Sequence, residues 1–178
     1  MSLLYASAWP SLPEPYRQLG AELTKSADVA YNLRGQLYAD ARGWLLLRVP
    51  AGLVRGVFAA MKEPGIELPP YDYDDDRFVA CLTVMTQDET DGIGVDNIKE
   101  RGQEFSYTLG RLVEFAPADW PGVEKVFALV VHSPELQKLR LSYGLTALPH
   151  RDTGAFHVPV AVLKRGVLGR TATSRTAR

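Results

Sequence analysis

The sequence predicts an α+β fold built as two pseudo-symmetric β–α–β lobes, with antiparallel-rich sheets facing a central cleft. One observation behind this is a pattern. A strand-sized apolar run, an amphipathic helix, a loop and a second strand follow one another over residues 44–86, and the same order returns over 126–163. The other is composition. The chain has 178 residues, 46% hydrophobic and 23% charged, which is globular composition with room for one domain or two small fused lobes.

Residues 1–42 read as an N-terminal arm and lead-in. Pro10, Pro13 and Pro15 make 1–15 irregular, with Tyr5 and Trp9 placed to anchor the arm on the body. Tyr16, Leu19 and Leu23 give 16–25 a weak helical spacing, while 29–38 fits a helix or a strand. Ala39-Asp40-Ala41-Arg42-Gly43 reads as a turn.

A bilobal domain is expected over 43–163. Its first lobe, about 43–86, opens with the buried strand Trp44-Leu45-Leu46-Leu47-Arg48-Val49, which ends at Pro50. Leu53, Val54, Val57, Phe58 and Met61 then mark one face of a helix, stopped by Pro64-Gly65. A Pro- and Asp-rich loop over 69–76 leads to a strand over 78–86. Val79, Cys81, Thr83 and Met85 line one side of that strand, and Ala80, Leu82 and Val84 the other.

The middle segment, 87–125, is expected to hold a helix near 96–102, a β-like stretch over 104–115 and a connection at Trp120-Pro121. The second lobe, about 126–163, repeats the first. An apolar strand over 126–131 meets Ser133-Pro134-Glu135, where Ser can cap a helix and Pro suits its first position. Leu136, Leu139 and Tyr143 form the helix face, Gly144 closes it, and 156–163 is the last strand. Residues 164–178 read as a flexible basic tail, with Lys164, Arg165, Arg170, Arg175 and Arg178 and no acid among them.

The totals exclude several classes. A formal net charge of -1 gives no global field for nucleic acid, so a polyanion site must be a local basic patch. One cysteine excludes an internal disulfide framework and a cysteine-rich zinc site, and a cytoplasmic, reducing setting is the default expectation. The first residues lack a secretory pattern, and no apolar run approaches the roughly 20 residues a membrane helix needs. Asp72, Asp74, Asp75 and Asp76 lack the glycine and distal glutamate of a calcium loop and read as a solvated acidic loop. No metal or cofactor is expected.

Chemistry concentrates on the closing strand of each repeat, Cys81-Leu82-Thr83 in the first and His157-Val158-Pro159 in the second. Here the chain resembles the 2H phosphoesterases, which carry a His, an apolar residue, and Thr or Ser in each of two lobes. The surrounding phrases resemble a branch of that family found in phage genomes: Gly43-Trp44-Leu45-Leu46-Leu47-Arg48-Val49-Pro50, Leu82-Thr83-Val84-Met85-Thr86, Phe105-Ser106-Tyr107-Thr108-Leu109-Gly110, Ser133-Pro134-Glu135-Leu136 with Leu139-Arg140, Tyr143-Gly144-Leu145, and Phe156-His157-Val158. The resemblance covers roughly 43–165.

It implies two imidazoles either side of a phosphodiester, one as general base and one as general acid, with hydroxyls holding phosphate oxygens and no metal. Residues two apart on a strand point the same way, so the motif lines one wall of a cleft. The family's substrates include cyclic and 2′,5′-linked phosphodiesters of RNA and nucleotides.

This chain departs from the motif twice. Cys81 stands at the first His position, and Pro159 at the second hydroxyl position. His157 and Thr83 remain. Loss of one acid or base typically costs about 10²–10⁴-fold in rate. Tyr107 and Arg140, and His150 beside Arg151, are candidates for ligand contact, with His150 placed to stand in for the lost His. Simpler roles compete at each position. Cys81 suits a small buried side chain, Thr83 is common in strands, Tyr107 fits a core, and His132 fits a structural strand end.

The expectation is a catalytically impaired, 2H phosphoesterase-like protein retained as a structural or binding component, with a virion setting if phage-encoded. Partners would be another protein, engaged through the arm and tail, or a nucleotide or RNA phosphate. The rivals are an active phosphodiesterase on cyclic or 2′,5′-linked nucleotides and a nucleotide sponge that binds without cleaving.

Overall fold

The computed structural model describes residues 33–61, 63–70, 77–117, 120–149 and 154–166, with backbone alone at 73–74 and 77–78. The expected arm, the helix over 16–25, His150, Arg151 and the chain beyond 166 lie outside the described residues. The strands are β1 (Arg34–Ala39), β2 (Leu45–Arg48), β3 (Ile66–Glu67), β4 (Tyr73–Asp74), β5 (Arg77–Phe78), β6 (Cys81–Met85), β7 (Glu104–Ser106), β8 (Thr108–Phe115), β9 (Val123–His132) and β10 (Phe156–Lys164). The helices are α1 (Ala51–Ala60), α2 (Gln87–Ile93) and α3 (Pro134–Ser142). The fold is α+β, with two four-stranded antiparallel sheets in the orders β6-β2-β1-β7 and β3-β10-β9-β8.

Of the ambiguous stretch 29–38, the hairpin β1–β2 makes residues 34–38 strand, while 29–32 lie outside the described residues. Its turn is built by Asp40, whose carboxylate accepts from the backbone N–H of Arg42 at 3.0 Å and of Trp44 at 2.9 Å, with Gly43 at φ 87°. The apolar run then continues as β2, and α1 buries Leu53, Val54 and Val57 as its spacing predicts.

The middle segment departs from expectation. Thr86 caps α2 over Gln87–Ile93, and its backbone N–H donates to Glu89 three residues on, at 2.9 Å. The expected helix near 96–102 is a single 3-10 turn, Val95–Asn97, followed by turns. The expected β-run over 104–115 is two strands. It breaks at Tyr107, so β7 completes the first sheet and β8 edges the second. The expected strand over 78–86 also shortens, because Phe78 pairs with Tyr73 in a separate two-stranded ribbon.

In α3, the Ser133 hydroxyl accepts from the Leu136 N–H at 3.2 Å, Pro134 takes the first position, and Gly144 follows at φ 74°. The strand β10 extends through Lys164, which the sequence assigned to the tail. Lys164 instead pairs with Glu67 of β3 at 2.5 Å.

The two halves share one core. Leu37, Leu45 and Leu47 of the first sheet, Leu129, Val131, Phe156, Val158 and Val160 of the second, Leu53, Val54 and Val57 of α1, and Leu136 and Leu139 of α3 form one continuous buried cluster. The elements also cross over. Helix α1 packs on β10, α3 packs on β6 and β7, and β3 adds an edge strand to the second sheet. Arg140 of α3 ties three of these pieces together. Its side chain is fully buried, bonds both carboxylate oxygens of Glu89 at 2.7 and 3.0 Å, and donates to the Val84 carbonyl at 2.5 Å and the Thr146 carbonyl at 2.8 Å.

Candidate functional site

The closing strands β6 and β10 belong to different sheets yet lie alongside one another, with Cα atoms within 8 Å. Each alternates as a half-buried strand should. On β6, Leu82 and Val84 point into the core while Cys81 and Thr83 are partly exposed. On β10, Phe156, Val158 and Val160 are buried while His157 and Pro159 are partly exposed. All four motif positions therefore face away from the main core, on neighbouring strands.

Strand register shows what accompanies them. Arg48 lies opposite Cys81, Leu46 opposite Thr83, and Tyr38 opposite Leu46. Cross-strand partners share a face, so Tyr38, Arg48, Cys81 and Thr83 form one polar wall around Leu46. The Arg48 guanidinium sits 5.0 Å from the centre of the Tyr38 ring, within the range of a cation–π contact. Burial first, then the charge and hydrogen bond of Cys81, hold the Tyr38 phenol well above its ordinary pKa. The Tyr38 phenol thus stays protonated beside the Cys81 thiol. Where the motif expects an imidazole, this chain has a thiol engaged by a phenol.

The second wall differs in chemistry. His157 lies opposite Val130 and Pro159 opposite Ala128, which in turn pairs with Val113. These neighbours are apolar and buried. Val113, Val126, Ala128, Val130 and Val162 are each 7% exposed or less and form a cluster separate from the main core, with Phe115, Trp120 and Ala155 packed on it. The His157 ring meets Phe115 edge-on, with centroids 5.2 Å apart at 81°. Its Nδ1 lies 3.2 Å from the Ala155 carbonyl oxygen. A carbonyl only accepts, so Nδ1 is the donor and Nε2 carries the basic lone pair of the neutral ring.

The arrangement thus holds one oriented imidazole, one strand hydroxyl and one guanidinium. Arg48 and Tyr38 were not singled out from the sequence. A signal existed for Arg48, the one charge in an apolar strand, but which residue it would stand beside depends on pairing with β6.

The other candidates fall elsewhere. Tyr107 is 4% exposed in the main core, its hydroxyl has no hydrogen-bond partner, and burial pushes its pKa up to about 12. Arg140 is fully buried in the clamp on Glu89. His132 is exposed at the end of β9, two residues from Val130 and so on the same face of the sheet as His157. Lys164 is ion-paired, and Arg165 is exposed in the turn that follows. His150, Arg151, Arg170, Arg175 and Arg178 lie outside the described residues. Among the described residues, no group of three or more His, Cys, Asp or Glu side chains is placed to hold a metal ion, and no helix is long and apolar enough to cross a membrane. The chain matches no family model, no curated protein and no solved structure.

Proposed function

We propose that this chain is a 2H phosphoesterase-like protein of impaired catalytic ability, retained as a binding component for a phosphodiester ligand. In this reading the two hairpin–helix–strand units are pseudo-symmetric lobes, and β6 and β10 are the inner walls of their shared cleft. The observation that carries it is the period-2 exposure of Cys81, Thr83, His157 and Pro159 on strands that lie side by side. Thr83 would hold a phosphate oxygen and His157 a second one through its ring. Cys81 stands where the motif has its first imidazole, so among the described residues β6 offers His157 no imidazole as partner acid or base. Purified full-length protein should bind a cyclic dinucleotide or a 2′,5′-linked dinucleotide in calorimetric titration, and His157→Ala should weaken that binding. Hydrolysis should be absent or at least about 10²-fold slower than a two-histidine site would support. Rapid hydrolysis abolished by His157→Ala would replace this reading with an active phosphodiesterase.

One observation favours a second reading, a purely structural component in a larger assembly, such as a virion. The wall around His157 is apolar and excluded from solvent, which suits packing better than a phosphate. That role predicts no heat with any nucleotide.

A further inference from the structure

We propose that the outer face of the second sheet is the docking surface for the chain's own residues 16–25, with Tyr16, Leu19 and Leu23 as the side chains that seat there. The proposal is independent of the phosphodiester reading. It starts from a face that is dry beyond what its described neighbours explain. On the side of the sheet away from the main core, Val126, Ala128 and Val162 are 0% exposed, and Val113 and Val130 are 7% exposed or less. A valine on one face of a sheet is screened at its flanks by strand neighbours but not from above. Among the described residues, only Phe115, Trp120 and Ala155 pack on this cluster, while the buried apolar side chains of α1 and α3 go to the main core.

These exposures are those of one chain alone, so a second copy is not the cover. Gly110, Phe115, Ala155, His157 and Pro159, on or beside this face, each make an interaction beyond the Phe115–His157 ring contact and the His157–Ala155 hydrogen bond. The cover therefore comes from the chain itself, from residues outside those described.

Composition and reach choose the segment. The loop at 71–76 is acidic, 150–153 is polar and 167–178 is basic. Residues 16–25 instead place Tyr16, Leu19 and Leu23 on one face at helical spacing. Their tether is Leu33, whose carbonyl accepts from the Tyr107 N–H at 2.9 Å, directly before the edge strand β8. The chain before Leu33 thus departs from the rim of this face. Crossing from β8 to β10 takes two strand spacings, about 10 Å. Residues 26–32 can reach up to roughly 23 Å, and ten helical residues span about 15 Å. His157 lies on the same face, opposite Val130, so the arm docks beside the imidazole.

The test uses the full chain carrying Cys81→Ser and Glu22→Cys, with a nitroxide attached at position 22. Methyl signals of Val126, Val130 and Val162 should broaden strongly, and those of Leu45, Leu47 and Val54 far less. Gln18→Cys in place of Glu22→Cys gives the same readout from a second position, and circular dichroism checks that each labelled chain keeps its fold. Adding Leu19→Asp and Leu23→Asp should abolish the contrast between the two sets of methyls. Sharp signals at the three valines, or equal broadening of both sets, would overturn the proposal. So would broadening of an isotope-labelled chain by an admixed spin-labelled one, which would make the occupant a second copy.

Discussion

At the scale of single residues, the largest fully buried side chain among the described residues is charged. Arg140 is out of water, and its donors reach the carbonyls of Val84, Thr146 and Leu148 and both oxygens of Glu89. Removing one partner of such a group leaves the other uncompensated and typically costs about 3–5 kcal/mol. Arg140→Met should therefore lower stability to urea by roughly that amount. The Glu89 carboxyl shows the same coupling from the acid side. Its partial burial opposes ionisation, but hydrogen bonds from Arg140 and Thr86, with the Arg140 charge, outweigh that and hold its pKa below the ordinary carboxylate range. A depressed folded-state pKa means the unfolded chain takes up the proton first as pH falls. The stabilisation is complete above the unfolded carboxylate pKa and is lost as pH drops through that value toward the lower folded one. Stability of the unaltered chain should fall more steeply below about pH 4 than that of Glu89→Gln. Equal slopes would show that Glu89 is not coupled to folding.

At the scale of elements, α3 begins through Ser133. Its hydroxyl accepts from Leu136 N–H and donates to the Ser106 carbonyl at 2.7 Å, so one fully buried group both starts the helix and ties it to β7. Ser133→Ala should cost about 1–2 kcal/mol, the upper range for a cap. That lowers the melting temperature by roughly 2–8 °C at this chain length. Ser133→Thr should recover most of the loss, and a melting curve that ignores Ser133→Ala would argue against the cap. This start signal was legible because it is local: a capping residue, a proline and a helical spacing follow in sequence. The capping box of α2, Thr86 followed by Glu89, was equally local but was passed over for a helix nearer residue 96. The elements that resisted reading are those decided by partners far along the chain. Nothing near Tyr107 says that β7 and β8 belong to different sheets, because the break is set by β1 on one side and β9 on the other. The site divides the same way. Alternation put Cys81 and Thr83 on one face of β6 from sequence alone, but which face meets the core, and the company of Arg48 and Tyr38, are products of packing and cross-strand register.

At the scale of the whole molecule, the repeated order of elements suggests two units, but the packing joins them. Helix α1 lies against β10 of the second half, and α3 against β6 of the first. The short β3 from the first half edges the second sheet, and one apolar cluster runs through both sheets. A core shared in this way makes each half's burial conditional on the other, so neither half should unfold alone. Heating the full chain in a calorimeter should give one transition, with calorimetric and van't Hoff enthalpies agreeing. Leu53→Ala in α1 and Leu136→Ala in α3 each empty a site that is 2% exposed or less, and each should cost about 2–5 kcal/mol. Although the two residues sit in different halves, both substitutions should shift that same single transition. Two resolved transitions, with each substitution moving only one, would mean the halves are separate folding units despite their shared core. The same coupling bears on the cleft proposed above. Strand β6 is an edge of the first sheet, β10 lies within the second between β3 and β9, and the two strands lie beside one another over that core. A ligand that bridges the two walls should therefore raise the temperature of the one transition without splitting it.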